Sequence, residues 1–533
     1  MDRGEVYSSR LIARLETHLL DQLDKLKTSF GAKDAERVRA LLERLARKKF
    51  RDADSLLRCH ELLLFICAYP HNATVLRLAE AQLRTFPDRV RELRDRNVDV
   101  SMLEHPDVSG IAGSSVTDTF SFYIARGLVQ RYPSQVEIYW DWFESENRLA
   151  ETWPRFMPLL EEDAQVEANV PYRKWLEAAR GERSELAWLI ERFDALPISD
   201  KEKAELYDSQ QLYVRWTPRF AATRTGMRST AKSIFYHDGP LIQRRDVRLK
   251  EELQAPPPEL RKLSSSEGEQ AIDLTRDAST IRYRELYGFT HGDPAHVYHA
   301  DLGRGVQIFV TGLPPEKRLP LRACHSAMFF KNGVPIGYFE GLSLFERMES
   351  GLNLYYTFRD GETAWLYARI LNVMHHLTGV TSFAIDPYQI GYQNEEGIES
   401  GAFWFYRKLG FRPTEREVLQ LVEKEEERIA ARKGYRTSAR TLRKLAESPM
   451  IFELDQKRAG DWDRFHIRKI GLRMPGLKFE SLASLLPTAS WSSHERQMLE
   501  QIVRAKSADE EATYLKLMSR HERLRAEIIK LGT

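Results

Sequence analysis

Between residues 324 and 413 the chain reads strand, hairpin, strand, strand, helix, strand, helix, and this order constrains the fold more than any other feature. Apolar runs at Ala327 to Phe330 and Ile336 to Phe339 flank KNGV at 331–334. Asn-Gly between two such runs predicts a tight hairpin, because both residues tolerate positive φ. A third run, Leu352 to Phe358, leads through RDGETA at 359–364 into a helix. Leu366, Ile370, Val373, Met374 and Leu377 recur there at helical spacing. Further strands are expected at Val306 to Val310 and Thr381 to Ile385.

A strand that turns through small residues into a helix leaves backbone N–H groups free at the helix N-terminus. Those groups and the helix dipole suit an anion such as a pyrophosphate. Arg359 adds a guanidinium able to pair with phosphate in two-point fashion. SGAFWFYRKLGFRP at 400–413 then resembles the closing motif of the GNAT superfamily, in which a tyrosine-bearing helix ends in Lys-Leu-Gly-Phe. RDGETA resembles that superfamily's pyrophosphate loop, and the resemblance spans residues ~285–415, about a quarter of the chain.

The resemblance implies a mixed sheet splayed to admit acetyl-CoA or another acyl-CoA, with direct acyl transfer to an amine. It places Arg359 first and Ala364 last in the cofactor loop, with Asp360, Gly361, Glu362 and Thr363 between. Gly361 sits one residue before the family's first glycine, and Glu362 takes that glycine's place. Tyr406 matches the tyrosine that protonates the leaving thiolate, its hydroxyl having an ordinary pKa near ~10. Glu399 falls where many members start the helix with asparagine, and a carboxylate there is expected to cap it. An amine must be neutral to attack, so a carboxylate base is needed, and Glu340 in the strand GYFEG is the first candidate.

The rest of the chain carries less chemistry. Residues 1–200 read as helices, from Leu11, Leu15, Leu19, Leu23 and Leu26 onward, with Pro70 ending one helix and Asn72 capping the next. Trp140, Trp142, Trp153, Trp175 and Trp188 are expected as core anchors. Residues 215–250 interleave Arg215, Arg219, Arg224, Arg228, Lys232, Arg244, Arg245, Arg248 and Lys250 with aromatics, a pattern that either grips nucleic acid or the phosphates of a cofactor, or forms a solvated surface. Ala255 to Glu269, with three consecutive prolines and a serine-rich end, reads as a linker. Cys59, Cys67 and Cys324 form neither a disulfide framework nor a zinc site. His291, His296, His299, Asp293 and Asp301 cluster without metal-ligand spacing, so no metal is expected. Cys324 and His325, adjacent on a strand, should face opposite ways.

A net charge of +2 favours no partner class, and no apolar run approaches the ~20 residues of a membrane span, so a cytoplasmic protein without membrane contact is expected. The reading is α+β and multidomain: a helical region over 1–200, a basic stretch and linker over 201–270, a GNAT-like domain over 271–425 and a helical region over 426–533. Three functions fit: an acyl-CoA-dependent N-acyltransferase, a non-catalytic binding module of that fold, or an aminoacyl-tRNA-dependent transferase. The acceptor amine is small-molecule or protein.

Overall fold

In a computed structural model, residues 17–106, 108–157, 170–474, 482, 484–508 and 510–533 are described; Leu11 and Leu15 lie outside them. The chain divides into two compact units, residues 1–239 with 273–290, and residues 240–272 with 291–533. Both mix helix and sheet, so the α+β class holds. No helix among the described residues is long and apolar enough to cross a membrane.

The first unit is mostly helical. Asn72 caps the helix Ala73–Arg84 by accepting from the Val75 N–H at 2.9 Å. A small antiparallel sheet has β3 (Val214–Trp216) between β1 (Val116–Asp118) and β2 (Val136–Ile138). Trp153, Trp216, Phe122, Phe193 and Tyr207 centre its core. Trp153 and Trp188 are buried as expected, but Trp142 is 49% exposed and packs edge-on to Tyr139 and Tyr213.

The second unit is built on a nine-stranded sheet. In chain order its strands are β4 (Leu260–Lys262), β5 (Val297–Gly303), β6 (Val306–Thr311), β7 (Ala323–Lys331), β8 (Val334–Leu344), β9 (Arg347–Leu354), β10 (Ser382–Ile385), β11 (Arg412–Pro413) and β12 (Met450–Glu453). Strands β4 to β9 pair consecutively and antiparallel. β10 pairs parallel to β9, and β12 then lies between β10 and β11. The Asn-Gly hairpin forms as expected, with φ of 49° at Asn332 and 80° at Gly333.

Three expectations need correction. The stretch 255–269 is no free linker: Leu260–Lys262 pairs with β5, and Ser265 begins a helix running to Thr280. The serines there cap and start a helix instead of loosening the chain; Ser264 accepts from the Glu267 N–H while Glu267 accepts from that of Ser264. The third strand begins at Arg347 and ends at Leu354, because Arg347 and Glu349 pair with each other at 3.7 Å and so place charge inside a strand. The region after 425 is not purely helical, since β12 enters the sheet. Its helices pack Trp491, Tyr514, Leu515 and Ile528 against Leu344, Phe345 and Ile451.

Candidate functional site

β9 and β10 are joined by the helix Thr363–Thr378, a right-length crossover between parallel strands. Their pairing stops at Glu349 opposite Ala384. Beyond that point β9 continues from Ser350 to Leu354 paired only to β8, while β10 ends at Ile385. The two strands therefore part at their carboxyl ends, the position where ligands enter open sheets containing parallel strands.

The helix N-terminus opens beside this gap. The Leu366 N–H is the first to bond within the helix, to the Glu362 carbonyl at 3.0 Å, so Thr363, Ala364 and Trp365 present the N–H groups of its first turn. Gly361 closes the preceding turn through its N–H to the Phe358 carbonyl at 3.0 Å. Asp360 is exposed, and the Thr363 hydroxyl donates to the Arg359 carbonyl at 3.3 Å. Arg359 is held at the end of β9 by its Nε–H on the Leu354 carbonyl at 3.3 Å and by the Tyr356 ring 5.8 Å away. Its guanidinium pairs with Glu396.

Glu362 is 1% exposed and turned away from this opening. Its carboxylate accepts from Arg304 Nε at 3.1 Å and from the Ile242 N–H at 3.1 Å, with Lys331 Nζ at 3.6 Å. Burial lowers the Lys331 ammonium pKa to about 7 even with Glu362 beside it. The carboxylate that replaces the expected glycine is thus neutralised behind the helix.

Tyr406, on the short helix Ala402–Arg407, reaches the same helix. Its ring packs edge-on to Tyr367 at 5.6 Å, and Tyr367 shares a 2.8 Å hydrogen bond with Ser350 of β9. The Tyr406 hydroxyl makes no hydrogen bond among the described residues, and burial pushes its pKa well above the ordinary value. It stays protonated through the neutral range, and the same burial makes it a weaker acid than an exposed tyrosine. Glu399 does not cap this helix: it ends the preceding helix Glu395–Glu399, and Gly401, in the left-handed region at φ 68°, stands at the cap.

Glu340 is placed elsewhere. It lies opposite Ser326 and Gly351, whereas Ser350 holds the crossover helix; consecutive strand residues face opposite sides, so Glu340 is on the other face of the sheet. Its imperfect alternation has a cause: an extra residue, Ile336, between the pairs Phe330 with Pro335 and Phe329 with Gly337. Burial alone raises the Glu340 carboxyl pKa, and the side chain has no ion pair or hydrogen bond among the described residues. At Gly351 a Cβ would meet the Gln389 amide at 3.0 Å, so Gln389 lies against the parted strand on the Glu340 side.

Sequence reasoning overlooked Gly351, Gln389 and Glu396. It also overlooked Tyr356, Tyr388 and Tyr392, which are exposed around the carboxyl ends of β9 and β10. Tyrosines outside any helical or alternating pattern were the available signal. The basic stretch is divided between the two units. Arg224 is buried against Glu61, Arg215 stacks 3.5 Å from the Tyr139 ring centre, and Arg244, Arg245 and Arg248 belong to the other unit. His296 pairs with Asp293 at 2.5 Å and His299 with Gln307 at 3.0 Å. Comparison of the chain with protein-family models, curated proteins and solved structures finds no match.

Proposed function

We propose that the chain is an acyl-CoA-dependent N-acyltransferase of GNAT type, working in the cytoplasm on an amine acceptor. The observation that carries this reading is the parting of β9 from β10 beside the N-terminus of their crossover helix. An extended thioester fits between two strands that part, its pyrophosphate meeting the N–H groups of residues 363–365 and Arg359. Turning Glu362 inward removes the charge that would oppose that anion. In this reading Tyr406 donates its proton to the departing sulfur, and Glu340 takes one from the amine across the gap.

Coenzyme A should raise the melting temperature of the full chain. At ~100 times its dissociation constant it stabilises by about 2.7 kcal/mol. Arg359→Ala should remove most of that shift. A well-folded chain that shows no shift with any acyl-CoA would sink the proposal.

A second reading is a binding module that kept the gap without the chemistry. The placement of Glu340 and Tyr406 on opposite faces favours it. Acyl-CoA binding without turnover on any amine would select it.

A further inference from the structure

The anion-binding side chain of this site is already occupied by another part of the same unit. Arg359 pairs with Glu396, in the first turn of Glu395–Glu399. The neighbouring Glu395 is taken by Arg443, at 3.0 and 2.8 Å, leaving Arg359 as the partner of Glu396 among the described residues. Two contacts independent of Glu396, the Leu354 carbonyl and the Tyr356 ring, fix the guanidinium at the end of β9. The arginine is therefore positioned before any ligand arrives, and a carboxylate sits where a ligand anion would sit.

We propose that Glu396 is a built-in competitor that a phosphorylated ligand must displace from Arg359. The proposal rests on the acyl-coenzyme A reading and adds a determinant to it. The side chains of Arg359 and Glu396 are 39% and 60% exposed, so water and salt screen their attraction. Exposed pairs of this kind are worth about fivefold or less in an equilibrium constant. A pyrophosphate carries more charge and more acceptor oxygens than one carboxylate, and helix N–H groups reward it further. It can displace Glu396; a neutral or monocarboxylate ligand cannot. Glu396 thus lowers affinity, by a modest factor, only for a ligand that needs the guanidinium, and leaves a ligand without phosphate untouched.

The test is calorimetric titration of the full chain with coenzyme A and, separately, with pantetheine, which lacks phosphate. Glu396→Gln should bind coenzyme A roughly 3–10-fold tighter than the unaltered chain, since it removes both the competitor and a like charge. Pantetheine affinity should not change. In the Arg359→Ala background, Glu396→Gln should give little further gain, because there is no longer a guanidinium to release. Equal coenzyme A affinity with and without Glu396→Gln, while binding itself is measurable, overturns the competitor and leaves the coenzyme reading standing. An equal gain for pantetheine also overturns it, as the effect would then not run through the phosphate-binding guanidinium. No binding of coenzyme A to either protein, both folded by their melting curves, overturns both proposals together. All the altered side chains are partly exposed, so loss of folding does not confuse the comparison.

Discussion

Glutamate at the foot of the proposed phosphate-binding helix should repel an anion, yet Glu362 serves as the counter-ion of Arg304 and the fully buried Lys331. Glu362→Gly is therefore expected to weaken the fold instead of improving binding. Breaking a buried pair leaves an uncompensated charge, at a cost of about 3–5 kcal/mol. Urea unfolding followed by far-UV circular dichroism measures this, and an unchanged midpoint would refute it. Glu340 predicts the opposite sign. Its raised pKa means that the folded state prefers the protonated carboxyl, so its contribution is present at acid pH and lost as pH rises through the folded pKa. At neutral pH Glu340→Gln should stabilise by roughly 0.5–2 kcal/mol, an advantage that fades below the unfolded value of about 4.3. If Glu340 is also the base, the same substitution lowers turnover. Tyr406→Phe removes a hydroxyl that has no partner among the described residues, so stability and coenzyme binding should hold. Transfer should fall by about 10²–10⁴-fold in single-turnover kinetics.

The helix Thr363–Thr378 was legible because its apolar face repeats at helical spacing; its stop at Gly379, in the left-handed conformation at φ 83°, came from the structure. The hairpin at 331–334 was legible because Asn-Gly names its turn type. β9 was only half legible, since Arg347 and Glu349 satisfy each other within it and mask its start. β12 was not legible at all. Four residues, MIFE, carry little local preference, and their partners on β10 and β11 lie far away in sequence. The gap between β9 and β10 is likewise a property of two elements together, set by where their register ends. At Gly351 the Gln389 amide lies where a side chain would stand. Gly351→Leu should push Gln389 aside and fill the space. The variant should remain cooperatively folded but lose the thermal shift with coenzyme A; retention of the full shift would place the ligand elsewhere.

Across the whole molecule, buried histidines set the response to acid. His60 and His71 in the first unit, and His325 in the second, are held below their ordinary pKa by loss of hydration. The unfolded chain then binds more protons than the folded one below about pH 6.5, so stability present above that value is lost as pH falls. Each contributes at most about 1.4 kcal/mol per pH unit in that window. His325 has no hydrogen bond at Nδ1 among the described residues and lines a cavity of about 20 Å³ with His296, Arg318 and Glu511. His325→Leu should therefore raise the melting temperature more at pH 5.5 than at pH 7.5, and equal gains at both would refute the assignment. The sequence by itself determined the α+β class, the hairpin, the crossover helix and the closing Tyr406 helix, because each is written in nearest-neighbour spacing and turn chemistry. Only the tertiary structure decided that Glu362 turns inward, that Glu396 occupies Arg359, that Glu340 lies on the far face, and that the basic stretch is split between units. Those outcomes depend on which charges and strands meet from distant parts of the chain, and no local pattern encodes that.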